Sequence, residues 1–120
     1  MARILVVDDD PVDRMILESL LTQEGHDLTF AEDGARALAL YRKRSFDLVV
    51  TDLVMPTFGG LRLIKEIIAL APDAAIIAIS GMSPEQLPLA EDYGARRVLR
   101  KPLTQDSLRE AVSAVLPRKS

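Results

Sequence analysis

Acidic, hydroxyl and amine side chains follow four of the short apolar runs in this 120-residue chain. They are Asp8, Asp9 and Asp10 after residues 3–7, Asp52 after residues 47–51, Ser80 at the end of residues 74–80, and Lys101 after residues 97–100. Carboxylates that lie close together repel each other, and burial adds to the cost of their charge, so a cation has to compensate them. A carboxylate beside a divalent metal, an ammonium group and a hydroxyl is what phosphoryl transfer needs, because these groups neutralise and bind the phosphoryl oxygens.

Each of these residues also has an ordinary structural explanation. Asp9 or Asp10 can cap a helix, Ser80 can begin a turn, and Lys101 can be a solvated surface amine. Asp52 is harder to explain in this way, because it follows a run expected to be buried and no cation lies within several residues of it. Helix caps alone do not predict the four positions together, so Asp52 is the candidate nucleophile and would form an acyl phosphate.

The residues favour a hard metal ion. The chain has no cysteine, and its single histidine, His26, lies far along the sequence in the turn-like segment "EGHD". A site of two or three carboxylates that keeps several waters suits Mg2+. The residues therefore predict a phosphoryl site assisted by Mg2+.

Five short runs of apolar and β-branched residues predict the strands that position these groups. They lie at residues 3–7, 27–31, 47–51, 74–80 and 97–100, with the length and composition of buried strands. A segment of helical periodicity follows each run, so the pattern is (βα)5 and predicts an α/β fold with a parallel sheet covered by helices on both faces. Ligand sites in such sheets lie at the carboxyl ends of the strands, where the polar residues fall.

The helices have recognisable ends. The first is predicted over residues 11–23 with Val12, Met15, Ile16 and Leu20 on one face, and the second over residues 34–43. The third follows Gly59-Gly60 and ends before Pro72, which disfavours helical geometry in the residue ahead of it. The fourth begins at "SPEQ" (83–86) and is short or kinked because of Pro88; the last follows Thr104 as N-cap.

Composition excludes several classes of function. A formal net charge of −3 and a pI near 5.1 give no general attraction to nucleic acid or to an anionic membrane. The N-terminal "MARILVVDDD" has too few apolar residues for a signal peptide or a membrane span. We expect one domain over residues 1–117, a tail at residues 118–120, and a cytoplasmic protein that binds neither nucleic acid nor membrane directly.

The motifs resemble those of the receiver domain of two-component response regulators. "ILVVDDDP", "LVVTDLVMP" with Gly60 eight residues after Asp52, "IIAIS" and "VLRKPLT" match the blocks of that family in order, over about the whole chain. The resemblance implies a doubly wound sheet in the flavodoxin-like order 2-1-3-4-5. It also implies a phosphorylation switch that takes its phosphoryl group from a sensor histidine kinase or a histidine phosphotransfer protein.

The resemblance assigns a role to each site residue. Asp52 would be the phospho-acceptor, Asp9 a direct Mg2+ ligand, and Asp8 an acid that holds the metal partly through water. Further ligands would be Asp52 itself and the backbone carbonyl of Val54. Ser80 would turn towards the phosphoryl group, Lys101 would pair with it, and the peptide between Lys101 and Pro102 would be cis. Asp10 has no such role and is expected to cap the first helix.

The chain departs from the family pattern at three places. Val98 stands where the family usually has Phe or Tyr, so a rotating aromatic switch is absent at this position. Gly59 replaces the usual acid before Gly60, and the segment from Ser80 to Lys101 is about one residue short. These departures affect the output of the switch more than its phosphorylation. Val54 and Met82 offer no polar group to orient an attacking water, which predicts slow or moderate self-hydrolysis.

Two alternatives to a phosphorylation switch remain at this point. One is a receiver-like docking module that is never phosphorylated, although the expected site residues are all present. The other is a Mg2+-dependent phosphatase of the haloacid dehalogenase type, which needs a second Asp where Val54 stands. We expect the switch to act on no outside substrate, so it is not an enzyme in that sense. The sequence does not name its downstream partner. A dimer that forms on phosphorylation is one possible output.

The basic segment "RRVLRK" (96–101) has two interpretations. One is an edge strand whose charge prevents pairing with another sheet, and the other is a docking patch for an acidic partner.

Overall fold

The computed structural model describes residues 2–55, 58–81 and 84–116. Strands and helices alternate along the chain, with one 3₁₀ turn at Pro84–Gln86. The strands are β1 (Arg3–Val7), β2 (Asp27–Ala31), β3 (Leu48–Asp52), β4 (Ile76–Ser80) and β5 (Arg97–Arg100). The helices are α1 (Pro11–Thr22), α2 (Gly34–Lys43), α3 (Gly60–Leu70), α4 (Leu87–Tyr93) and α5 (Gln105–Val115).

The five strands form one parallel sheet in the order β2-β1-β3-β4-β5. This confirms the predicted (βα)5 fold and the predicted strand order. Every residue of β3 and β4 is buried, because strands in the middle of such a sheet are covered by helices on both faces. The order brings the ends of β1, β3 and β4 next to one another at the carboxyl edge.

Two hydrophobic layers cover the two faces of the sheet. On one face α2, α3 and α4 contribute buried side chains to the core, and on the other face α1 and α5 do so. The first layer includes Ala37, Leu38, Leu63, Ile64, Ile67, Leu87 and Ala90, and the second includes Leu17, Leu21, Leu108, Ala111, Val112 and Val115. None of the helices in the described ranges has the length and hydrophobicity needed to cross a membrane.

The apolar stripe predicted for α1 is wrong for three of its four residues; the fourth, Leu20, is partly buried against the layer of α1 and α5. Val12, Met15 and Ile16 are exposed, at 62%, 68% and 44% of their full surface, whereas Leu17 and Leu21 are buried against the sheet. Both sets have helical spacing, and packing against β1 and α5 selects the second set. A row of apolar side chains on α1 is therefore left at the surface.

The helix ends follow the predicted capping chemistry. Asp10 caps α1 by accepting a hydrogen bond from the N–H of Val12, at 2.9 Å. Thr104 caps α5 in a capping box with Ser107. The fourth helix is short, as expected: the α-helical part spans seven residues and has Pro88 in its first turn. Ser83, the predicted cap of the fourth helix, lies outside the described residues.

Gly60 begins α3 where the helix touches the end of β3. A Cβ atom at this position would overlap the carbonyl oxygen of Asp52 and would lie 2.8 Å from the Cα atom of Leu53. The neighbouring atoms belong to the backbone, which cannot move aside without displacing Asp52. Glycine is therefore required here by close backbone approach.

We expect Gly60→Ala to lower the free energy of unfolding by about 2 kcal/mol, because overpacking against backbone costs energy in this range. Urea unfolding followed by circular dichroism would measure the change. Gly25→Ala is an informative comparison, because the Cβ of that variant meets no atom within 4 Å and only its positive φ of 78° is unfavourable. An effect at Gly60 no larger than that at Gly25 would contradict the argument from close approach.

Candidate functional site

Buried polar side chains concentrate at the carboxyl edge of the sheet. Within the described ranges, the buried polar residues are Asp8, Thr51, Asp52 and Ser80. Asp8 follows β1, Asp52 ends β3 and Ser80 ends β4. Burying a charged carboxylate is costly unless it is paired. The burial of Asp8 and Asp52 at this edge is therefore unfavourable unless a cation lies beside them.

Lys101 places one ammonium group among three carboxylates. Its Nζ lies 2.5 Å from Asp13 Oδ2, 3.1 Å from Asp52 Oδ2 and 3.5 Å from Asp8 Oδ2. The structure thus brings together the predicted site residues Asp8, Asp52 and Lys101, which are up to 93 residues apart in sequence. It adds Asp13, which the sequence analysis did not single out.

Asp52 is held in one orientation by contacts on both carboxylate oxygens. Oδ1 accepts a hydrogen bond from the backbone N–H of Val54 at 3.1 Å, while Oδ2 pairs with Lys101. The hydroxyl of Thr51 donates to the backbone carbonyl of Asp52 at 2.9 Å. The fully buried strand therefore aims this carboxylate at the edge of the sheet, which explains why an acid follows so apolar a run.

Asp8 is the most deeply buried carboxylate of the site, with 1% of its surface exposed. Its Oδ1 accepts from the N–H of Asp10 at 2.9 Å, and its carbonyl accepts from the Arg14 guanidinium at 2.6 Å. Burial raises the pKa of Asp8 from 3.8 to about 6, helped by the charges of Asp52 and Asp13 and opposed by the Asp10 N–H and by Lys101. The carboxyl group of Asp8, whose ionisation is unfavourable, thus lies close to the carboxylates of Asp13 and Asp52.

The pKa of Lys101 is also raised, which for an ammonium group favours the charged form. Burial by itself lowers the pKa of this ammonium group, but the hydrogen bond with Asp13, the charge and hydrogen bond of Asp52, and the charge of Asp8 outweigh it, so the pKa is raised above its usual value. Lys101 is therefore cationic at neutral pH and offers a fixed positive charge to an anion.

The carboxylates also suit a hard cation. One oxygen from each of Asp8, Asp13 and Asp52 lies within 4.8 Å of the others. An all-oxygen set with two or three charges is typical of Mg2+ sites that retain water. Asp9 is exposed and does not belong to this group of three, so its role as a direct ligand stays a prediction.

The remaining predicted residues lie around this centre. Ser80 is buried, and its carbonyl accepts a hydrogen bond from the backbone N–H of Lys101 at 3.0 Å. The peptide between Lys101 and Pro102 is cis, as expected. Val98 is half-buried, pairs in register with Ala78 and packs against the layer of α2, α3 and α4. Met82, expected to flank the site, lies outside the described residues.

The basic segment after α4 forms the edge strand of the sheet. Arg97 pairs with Glu110 at 3.0 Å, and Arg96 donates to the carbonyl of Asp73 at 2.8 Å. These contacts tie two of its cations to neighbouring elements. The strand thus has the edge position that the first interpretation requires, and the docking patch stays a prediction.

Asp13 was missed because its sequence context indicates only a helix. An acid in the first turn of a helix is stabilised by the helix dipole and needs no further explanation. The sequence signal for Asp13 is its position three residues after Asp10, in the first turn of α1. This turn lies close to the end of β1, where the other acids of the site are. A search that followed each loop into the next helical turn would find it.

Comparisons with known proteins identify the family of the chain. The family model described as the response regulator receiver domain matches residues 4–113. Protein PilH of Pseudomonas aeruginosa is 34% identical over 119 residues, which cover 97% of this chain and 98% of PilH. Chemotaxis protein CheY of Bacillus subtilis is 35% identical over 116 residues, which cover 95% of this chain and 97% of CheY.

A solved structure is similar over the same length. The response regulator protein TrrA of Thermotoga maritima, in complex with Mg(2+)-BeF, has a TM-score of 0.89 and 36% identity, with 97% of this chain and 100% of that chain covered. The strand order found here is the one that the resemblance implies, and the family model spans nearly all of the chain. This protein therefore belongs to the family of response regulator receiver domains.

Proposed function

We propose that Asp52 is the phospho-acceptor of this receiver domain and that the phosphoryl group comes from a sensor histidine kinase or a histidine phosphotransfer protein. The observation that carries the proposal is the position of Asp52, a buried carboxylate at the end of β3 whose Oδ2 lies 3.1 Å from the Lys101 ammonium. Receiver domains as a class accept phosphoryl groups, and the position of Asp52 supports its assignment as the acceptor here.

The transfer is a simple displacement. A carboxylate oxygen of Asp52 attacks phosphorus, the bond between phosphorus and the donor imidazole nitrogen breaks, and its electron pair returns to that nitrogen. The nucleophile is the carboxylate, so the step as written moves no proton from Asp52. Lys101 neutralises the phosphoryl oxygens, and the Ser80 hydroxyl donates a hydrogen bond to one of them.

Mg2+ fits the donor set, with Asp8, Asp9 and Asp52 and the carbonyl of Val54 as the proposed ligands. Asp8 and Asp52 belong to the group of carboxylate oxygens within 4.8 Å of one another, which supports their part of this assignment. The bound metal would offset the negative charge that builds up on the phosphoryl oxygens. The complex of TrrA with Mg(2+)-BeF supports the same choice of metal.

Phosphorylation is proposed to change the surface that a downstream partner binds, and a phosphorylation-dependent dimer is one such output. The domain acts on no outside substrate; it assists only its own phosphorylation and dephosphorylation. We place the receiver domain at residues 1–117 and a tail at 118–120, although residues 117–120 lie outside the described part of the chain. A cytoplasmic location fits a partner of a histidine kinase.

Chemical trapping tests the proposal in the unaltered protein. The protein is incubated with acetyl phosphate, with and without Mg2+, and its intact mass is followed. Sodium borohydride then reduces an aspartyl phosphate to homoserine with release of phosphate, and peptide mapping locates the modified position. We expect a gain of one phosphoryl group that depends on Mg2+ and conversion of Asp52 to homoserine. No gain under any condition would favour the unphosphorylated docking module, and conversion at another residue would reassign the acceptor.

A further inference from the structure

Asp13 contacts Lys101 at the centre of the site, although the phosphoryl transfer proposed above gives Asp13 no role. Its Oδ2 is the carboxylate oxygen nearest to Lys101 Nζ, at 2.5 Å, compared with 3.1 Å for Asp52 and 3.5 Å for Asp8. The side chains of Asp13 and Lys101 are 26% and 22% exposed, so water screens their interaction less than that of an ordinary surface pair. The shortest ionic contact of Lys101 is thus with a residue on α1 rather than with the proposed acceptor.

The arrangement has consequences for charge. Asp8, Asp13 and Asp52 surround one ammonium group, so two negative charges remain uncompensated when all three carboxylates are ionised. One divalent cation balances this excess, and without Asp13 the excess would be half as large. Asp13 therefore strengthens the attraction of the site for a divalent cation.

The negative charge of Asp13 also disfavours a phosphoryl group on Asp52. A lysine ammonium has three N–H donors and no acceptor, and the three carboxylates already occupy the Lys101 ammonium. A phosphoryl group on Asp52 needs this cation, so its oxygens compete with Asp13 for it and are repelled by Asp13 across a short distance. Helix dipole stabilisation accounts for an acid in the first turn of α1, but it does not account for the contact with Lys101.

We propose that Asp13 is a further positioning residue of the phosphorylation site, which holds Lys101 in the unphosphorylated protein and opposes the phosphoryl group while favouring the metal. This inference rests on the proposed function of Asp52. It predicts opposite effects of one substitution on two properties: Asp13→Asn weakens Mg2+ binding but speeds phosphorylation once Mg2+ is saturating. A purely structural role for Asp13 would weaken both.

We expect about a threefold to tenfold change in each direction, the range for removing one charge about 5 Å away at intermediate screening. Calorimetric titration with MgCl2 gives the dissociation constant without reference to activity. Intact mass after addition of acetyl phosphate gives the phosphorylation rate at saturating Mg2+. Asp13→Glu keeps the charge and is expected to restore most of the Mg2+ affinity.

Asp10→Asn is the matched control. Asp10 lies on the same helix end, and asparagine caps helices as well as aspartate does, so this variant removes the same charge without touching Lys101. Equal behaviour of Asp13→Asn and Asp10→Asn in a protein that is phosphorylated at Asp52 would overturn this inference alone. A decrease in both properties for Asp13→Asn would also overturn it. A wild-type protein that takes no phosphoryl group would overturn the proposed function and this inference together.

Discussion

Asp52→Asn is expected to abolish phosphoryl uptake from acetyl phosphate, leaving no gain of mass above that of a reaction without Mg2+. An asparagine amide has nearly the shape of the carboxylate and can still accept the hydrogen bond from the Val54 N–H, which is made to Oδ1. It lacks the anionic oxygen that attacks phosphorus. The loss would therefore reflect the missing nucleophile rather than a disturbed strand. Intact mass spectrometry at saturating Mg2+ measures it.

Asp33→Asn is the control for this substitution. Asp33 follows β2 at the same edge of the sheet, where its side chain accepts a hydrogen bond from the N–H of Arg36. Asparagine serves equally well as such a cap, so normal phosphorylation is expected. Uptake by both Asp52→Asn and Asp52→Ala at the wild-type rate would contradict the assignment and would direct attention to Asp8 and Asp13, the other carboxylates at Lys101.

The fold could be predicted from the sequence because its local signals agree with one another. Apolar runs of strand length, caps such as Asp10 and Thr104, and the two glycines at the start of α3 all indicate the same (βα)5 pattern. The face of α1 could not be predicted, because Val12, Met15 and Ile16 form as good a stripe as Leu17 and Leu21. The choice between them depends on packing against α5, which is distant in sequence.

The site residues that lie at the ends of strands could be predicted from the sequence. Asp8 and Lys101 follow a strand and Asp52 ends one. The parallel sheet brings these ends together, so residue type and strand position were enough. Asp13 lies inside a helix, where residue type carries no such information. Its approach to Lys101 depends on the loop geometry between β1 and α1 and on the path of the chain after β5.

Asp8→Asn is expected to stabilise the protein in the absence of Mg2+, by up to about 3 kcal/mol at pH 8. The pKa of Asp8 is about 6 in the folded protein, against 3.8 without the influence of the fold. The folded state therefore binds this proton more tightly than the unfolded state does. Well below pH 3.8 both states are protonated and the charge of Asp8 has no effect. As the pH rises through the range from 3.8 to about 6, the folded state loses stability relative to the unfolded state, and above this range the loss is constant.

Asparagine removes this dependence while keeping an oxygen for the N–H of Asp10. Urea unfolding of both proteins between pH 4 and pH 8 measures the difference in unfolding free energy, which should grow from near zero to its full value by about pH 7. The pKa of His26 is lowered by burial and works in the opposite direction near pH 6, but His26 is present in both proteins and cancels in the difference.

Mg2+ should reverse the order of the two proteins if Asp8 is a ligand. A cation that binds the folded state stabilises it by an amount that grows with the logarithm of its concentration divided by its dissociation constant, so wild-type protein is expected to gain stability on addition of MgCl2 and Asp8→Asn to gain much less. A difference in unfolding free energy that does not change with pH would show that burial of Asp8 carries no cost. An equal gain from MgCl2 in both proteins would remove Asp8 from the metal site and leave Asp9, Asp13 and Asp52 to hold the ion.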